Sequence, residues 1–267
     1  MDPDKEEEKE AEKESATEHE EEQSADSLAA GPHQGQLLGW PIMIVPDGYK
    51  GRLPKTAWIY ERNKAEAEKL YKEVESGSTC IKILENSDTA NGEADVTYDG
   101  FREKVLKAIK RLMTTPNGRS LIKKIAHGGQ DVTIRPSKTN LASTARGNTT
   151  NATNGVGTTS TIYFDPNFSD KTIKTYDKNG KELATPFFLA LGHEMIHALH
   201  NQQGTNARNQ AGSAAAWDNK EEENTIDGPG ISENALRREH GLGQRYGHGG
   251  KVTSSRTKKV QGGGAGG

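Results

Sequence analysis

Apolar residues first gather into a run able to enter a core at Leu37-Leu-Gly-Trp-Pro-Ile-Met-Ile-Val45, and Trp58-Ile-Tyr60 is a short second one. Ala67, Leu70, Tyr71 and Val74 share one face of a helix expected from about Asn63 to Glu75, and a strand follows at Cys80–Leu84. Phe101, Val105, Leu106, Ile109, Leu112 and Met113 then fall at helical spacing, the cleanest amphipathic pattern in the chain. Pro116-Asn117-Gly118 is expected to end that helix, and a second, Ser120 to about Ala126, turns Leu121, Ile122 and Ile125 inward. His127, beside two glycines, reads as a helix C-terminal residue, after which Val132–Arg135 alternates as a strand.

Residues 137–160 are rich in Ser, Thr, Asn and Gly with no apolar periodicity, and predict a long loop or flap. Thr161–Phe164 is a strand, and Thr172–Tyr176 pairs with Lys181–Ala184 across Asp177-Lys-Asn179-Gly180 as a hairpin. The hairpin delivers the chain to Phe187–Leu199, where apolar residues fall on every side, so this helix is expected to be buried almost all round. Thr185 is its expected N-cap, Pro186 its first helical residue and Gly204 its stop. A helical section, a small and mostly antiparallel sheet and a buried helix define an α+β fold.

Composition changes this picture at the ends. The hydrophobic fraction of 31% is low for a wholly globular chain of 267 residues, and tails account for the deficit. Residues 1–30 hold thirteen Asp or Glu against three Lys, so the formal net charge of −3 conceals a body of about +7. Segment 1–35 is expected to be a disordered acidic region, 36–250 the folded domain, and 251–267 a disordered Gly/Lys-rich tail. The basic excess is scattered and lacks an aromatic stripe, which argues against nucleic-acid binding. No segment has the apolar length of a membrane span, and the N-terminus lacks the pattern of a secretory signal peptide. A single cysteine, Cys80, suits a reducing compartment.

The buried helix also carries a chemistry. His193-Glu194-Met-Ile-His197 places two imidazoles four residues apart, about 40° around the axis and about 6 Å along it, where both can reach one metal ion. Glu194 lies to the flank, free to act as a general base. Histidines among Phe187, Leu189, Leu191, Met195, Ile196 and Leu199 are no solvated face, and buried imidazoles need a partner. A catalytic zinc commonly takes a third protein ligand. His200 lies about 10 Å along the helix from His193, too far for three histidines of one straight helix to share an ion with bonds of about 2 Å, so it is expected to orient a neighbour. Glu221, Glu222, Glu223, Asp218, Glu233 and Glu239 all remain candidates on composition.

The stretch His193-Glu-Met-Ile-His197-Ala-Leu-His200, then Glu221-Glu222-Glu-Asn-Thr225-Ile226, then Ser232-Glu-Asn-Ala-Leu-Arg237, resembles the zinc endopeptidases injected by bacterial type III secretion systems, the non-LEE-encoded effector D family. More distantly it resembles the light chains of clostridial neurotoxins. The resemblance covers residues 186–246 most specifically and extends from Phe101 onward. It implies a zincin-like fold of gluzincin type, one zinc per chain with Glu222 as third ligand, and an effector acting in the host cytoplasm as a monomer on a host protein. Members of the family cleave mitogen-activated protein kinases. It also implies an Arg and a Tyr near the oxyanion: Arg245 fits the first, and Tyr246 or His248 the second, because His248 stands where an Arg-x-x-Tyr spacing would put the Tyr. Ser232 as N-cap and Gly241 as stop would leave Glu233 and Glu239 as exposed helix residues. The alternative is a zinc-stabilised effector that binds a host partner without catalysis. The intact Glu194 argues against it.

Overall fold

Around one buried helix, α4 (Phe187–Gln203), the described residues are packed, and its neighbours are two amphipathic helices, a sheet and two short helices rich in charge. The computed structural model describes residues 31–52, 58–89, 92–139 and 141–248. The acidic segment 1–30 and residues 249–267, both read from composition largely as tails, lie outside the described residues.

Regular structure begins inside the expected N-terminal tail. β1 (His33–Leu37) pairs antiparallel with β2 (Trp40–Val45), and β3 (Trp58–Tyr60) adds to β2 in parallel. Leu38 and Gly39 both have positive φ, 53° and 81°, which is what a two-residue turn matching strand twist requires. Polar His33, Gln34 and Gln36 hid this strand, since only Leu37 points fully into the core.

α1 (Glu61–Ser76) leads to β4 (Ile81–Ile83), then α2 (Phe101–Met113) and α3 (Pro116–Ala126). Pro116-Asn117-Gly118 is the first turn of α3 rather than the end of α2. Thr115 caps it by accepting from Gly118 N at 3.3 Å, and Pro116 occupies the position where a missing N–H costs nothing. β5 (Val132–Pro136), β6 (Ala142–Arg146) and β7 (Ser160–Phe164) complete a sheet of order β4-β5-β7-β6. Its first three strands are parallel and only β6 is antiparallel, which corrects the expected mostly antiparallel sheet. The chain passes through α2 and α3 between β4 and β5, and a crossover of that length returns the strand in parallel. β8 (Thr175–Tyr176) and β9 (Glu182–Leu183) form the expected hairpin, shorter than its apolar pattern suggested.

α4 starts one residue later than expected, with Pro186 as N-cap (ψ 150°) and no side-chain cap. The Thr185 hydroxyl instead meets Thr175 Oγ1 at 2.9 Å. Gly204 ends the helix at φ 70°, and a Cβ there would come within 2.6 Å of Gly155. Gly192 admits close packing in mid-helix: a Cβ would lie 2.9 Å from Leu236 and 3.2 Å from Leu112. α5 (Lys220–Asp227) and α6 (Glu233–Glu239) close over the far side of α4.

Leu37, Ile59, Ile109, Leu112, Leu121, Ile134, Phe164, Leu191 and Ile196 belong to one apolar cluster, so the first hundred residues and the histidine helix share a core. Each such fully buried side chain contributes on the order of 1.5–3 kcal/mol relative to exposure. Among the described residues no helix is long and apolar enough to cross a membrane.

Candidate metal centre

His193 and His197 project from α4 with their Nε2 atoms 3.1 Å apart and their rings nearly perpendicular, at 83°. Glu222, in the first turn of α5, brings Oε2 to 3.4 Å from each of those nitrogens. Asn219 sets that turn by accepting from Glu222 N at 3.1 Å. All three side chains are buried.

The other ring nitrogens are committed. His193 Nδ1 meets Glu233 Oε2 at 2.9 Å, and His197 Nδ1 meets Glu221 Oε1 at 2.8 Å. With each Nδ1–H donating to a carboxylate, both Nε2 atoms carry lone pairs that face one another and an ionised carboxylate. Glu222 Oε2 is buried and has no hydrogen-bond partner. Three electron-rich atoms at this spacing repel unless a cation lies between them. With bonds of about 2.05 Å, neighbouring ligands of a tetrahedral zinc lie about 3.3 Å apart, which matches the three separations. The donor set fits a zinc ion.

Electrostatics point the same way. Burial works against a charged His197, yet the hydrogen bond to Glu221 and the negative charge of Glu222 raise its pKa to about 10, so the pocket favours a positive charge at this place. Burial likewise opposes charge on His193, and Glu222 and Glu233 outweigh it. Burial pushes Glu222 up, but contact with the two histidines holds it well below the usual carboxylate range.

Glu194 is buried beside the pair, where its Oε2 accepts from Thr144 Oγ1 at 2.7 Å. Thr144 comes from β6, inside the segment expected to be a long loop or flap. Ala-Ser-Thr-Ala-Arg shows no apolar alternation because this edge strand faces α4 and the site rather than the core. The rest of that segment docks on the end of α4 through Gly155 N to Gly204 O (3.0 Å) and Thr158 N to Asn201 O (3.0 Å).

Glu233 is 1% exposed, not an exposed helix residue. Its Oε1 accepts from Arg237 Nε at 2.7 Å, and its Oε2 accepts from Arg245 Nη1 at 2.8 Å as well as from His193. Burial opposes its charge, but Arg245, His193 and Arg237 hold its pKa far below the usual range. Glu239 is half-buried and caps α3 by accepting from Asn117 N at 3.1 Å. His200 reaches Glu221 Oε1 at 2.8 Å, the neighbour-orienting place expected of it. Sequence reasoning gave Glu221 and Glu233 no such part, gave Arg237 no role beyond its place in the motif, and did not single out Thr144. Only the i,i+4 spacing of Glu233 and Arg237 offered a signal.

Arg245 and His248 both line a cavity of about 200 Å³ with His193, Glu194 and Glu233. Tyr246 is 38% exposed and packs its ring on Trp217 at 5.5 Å. His248 Nδ1 meets Asp218 Oδ2 at 2.6 Å, and its Nε2 lies 3.4 Å from Glu222 Oε2. Ligand-capable atoms of His193, Glu222 and His248 all fall within 4.8 Å of one another.

A buried His-Glu-x-x-His helix, met by an orphan carboxylate from a second helix, is the donor arrangement of a peptidase. Residues 89–247 match the Peptidase M91 family, described as effector proteins, and the chain belongs to that family. No curated protein matches it. Among solved structures, the botulinum neurotoxin type D light chain is 18% identical, with 54% of this chain and 48% of that one covered at a TM-score of 0.37. The botulinum neurotoxin serotype HA light chain is 15% identical, with 61% and 45% covered at a TM-score of 0.30. The chain thus spans about half the length of these two light chains, and both are distant likenesses.

Proposed function

We propose that this effector is a zinc-dependent endopeptidase with a zincin-like, gluzincin-type site, acting as a monomer on a host signalling protein after type III delivery into the host cytoplasm. Mitogen-activated protein kinases are the candidate substrates by the family resemblance. The observation that carries the catalytic reading is the orphan Glu222 Oε2, 3.4 Å from two imidazole nitrogens whose other ring atoms are anchored. Bound by His193, His197 and Glu222, one zinc per chain would supply a Lewis acid for the scissile carbonyl and a nucleophilic water near neutral pH.

Glu194 takes the proton of the attacking water and returns it to the leaving amine. Thr144 fixes which oxygen of Glu194 is free for that task, because Oε2 already accepts its hydroxyl. Glu233 and Glu221 keep the two imidazoles in the tautomer that leaves Nε2 unprotonated. Arg245, ion-paired to Glu233 on the cavity wall, supplies positive charge on the side where the oxyanion develops. For the hydrogen-bond donor, the exposed place of Tyr246 favours His248, which is held through Nδ1 by Asp218 and would donate from Nε2 as the imidazolium.

Wild-type protein should release peptides from a eukaryotic lysate that Glu194→Gln protein, with equal metal content, does not; loss of acid–base catalysis lowers turnover by about 10²-fold or more. Identical peptide profiles from the two proteins would end the peptidase reading.

A further inference from the structure

The cavity over the metal centre has a wall that the chemistry above does not use. It has a volume of about 140 Å³, and Arg146 and Arg208 line it together with His193, Glu194, His197, Glu221 and Glu222. Arg146 is the last residue of β6 and Arg208 follows the end of α4. In a strand alternate residues share a face, so Arg146 lies on the face of Thr144, about 7 Å further along. Thr144 holds the general base. Arg146 therefore stands one strand repeat from the reacting centre.

Neither arginine has a carboxylate of its own. Among the described residues Arg146 Nη1 is buried without a hydrogen-bond partner, and no ion pair involves Arg146 or Arg208. The acid whose charge acts on Arg146, Glu221, is fully committed: Oε1 serves His197 and His200 at 2.8 Å, and Oε2 accepts from Ala207 N at 2.9 Å. Glu222 faces the histidines and Glu194 holds Thr144. Arg146 is thus half-buried beside the exposed Arg208, and burial together with the charge of Arg208 acts against the Arg146 charge, while Glu221 favours it. An arrangement that is uncompensated within the protein is completed by an anion from outside, and guanidinium forks match paired oxygens.

We propose that Arg146 and Arg208 form a subsite for an anionic side chain of the polypeptide substrate, within about two residues of the bond that is cut. It deepens the peptidase reading and names its substrate class: a segment with Asp, Glu or a phosphorylated hydroxyl beside the scissile bond. The probe is a set of degenerate hexapeptide pools, each with Glu, phosphoserine or Gln fixed at one position. Binding is measured on full-length, zinc-loaded Glu194→Gln protein, and cleavage on wild-type protein. The Glu or phosphoserine pool should bind about tenfold or more tightly than the Gln pool at one or two positions, and the stronger of the two names the anion. That ratio should fall towards one in Arg146→Gln and Arg208→Gln backgrounds, and Arg146→Lys should keep part of it; the exposed Arg208 guards against a folding defect at Arg146. Equal binding of charged and Gln pools, or binding of neither up to millimolar peptide, would overturn the subsite. Anion preference with no cleavage by wild-type protein would leave the subsite standing and remove the peptidase reading. Cleavage with no anion preference would do the reverse.

Discussion

Glu233 takes three charged contacts on two oxygen atoms, and through them one buried carboxylate ties the His193 imidazole to Arg237 and Arg245. Such a network stabilises only when every member is present; removing one partner leaves a buried charge uncompensated. His240 is the opposite case. Its Nε2 is buried without a partner, its ring packs on Phe188 at 4.7 Å, and burial with Arg111 nearby lowers its pKa from 6.5 to about 4. The unfolded chain therefore binds this proton first as pH falls. The stability this histidine contributes is whole above pH 6.5 and is lost as pH falls through about 4. In that window the gap between the melting temperatures of wild-type and His240→Gln protein should narrow on acidification. A constant gap in paired thermal melts would refute the assignment.

The elements nearest the site are short and polar, which makes their caps important. α5 has eight residues, and Asn219 caps it at the amide of Glu222 itself. Asn219→Ala should cost about 1 kcal/mol of stability and also weaken zinc affinity in a chelator competition, because the cap fixes the turn that presents Glu222. Lower stability with unchanged affinity would show that the turn is set elsewhere. The same elements mark where sequence reasoning stopped. Helical spacing located α1, α2 and α4, and the two histidines with Glu194, because apolar periodicity and a fixed i,i+4 geometry are local properties. β6 and the partners of the imidazoles were not legible. Ala142–Arg146 is polar because it faces the site, and Glu221 and Glu233 look like solvated charge until α5 and α6 are folded against α4. The parallel sheet escaped for a related reason, since strand direction depends on what the chain does between strands.

Over the whole molecule, the family match begins at residue 89, but the apolar core does not. Leu37, Ile42, Ile44 and Ile59 pack in one cluster with Leu112 and Ile196. Segment 1–30 has too few apolar residues to add to such a core. A chain starting at residue 31 should therefore unfold with the same cooperativity and midpoint as the full chain. One starting at residue 39 should lose on the order of 2 kcal/mol or more, since β1 and the buried Leu37 go with it. Chemical denaturation of both truncations checks this, and equal stability of the two would mean that β1 contributes nothing to the core.

Two imidazoles and one orphan carboxylate form the proposed zinc site, and metal content with ligand identity is its sharpest test. Elemental analysis and X-ray absorption of full-length protein should find one zinc per chain, with nitrogen and oxygen neighbours at about 2.0–2.1 Å. Glu222→Gln should lower zinc affinity by well over tenfold, while Glu223→Gln, whose carboxylate is held by Ser213 and Lys220, should not. Full occupancy and affinity in Glu222→Gln protein, or metal lost from Glu223→Gln protein instead, would contradict it.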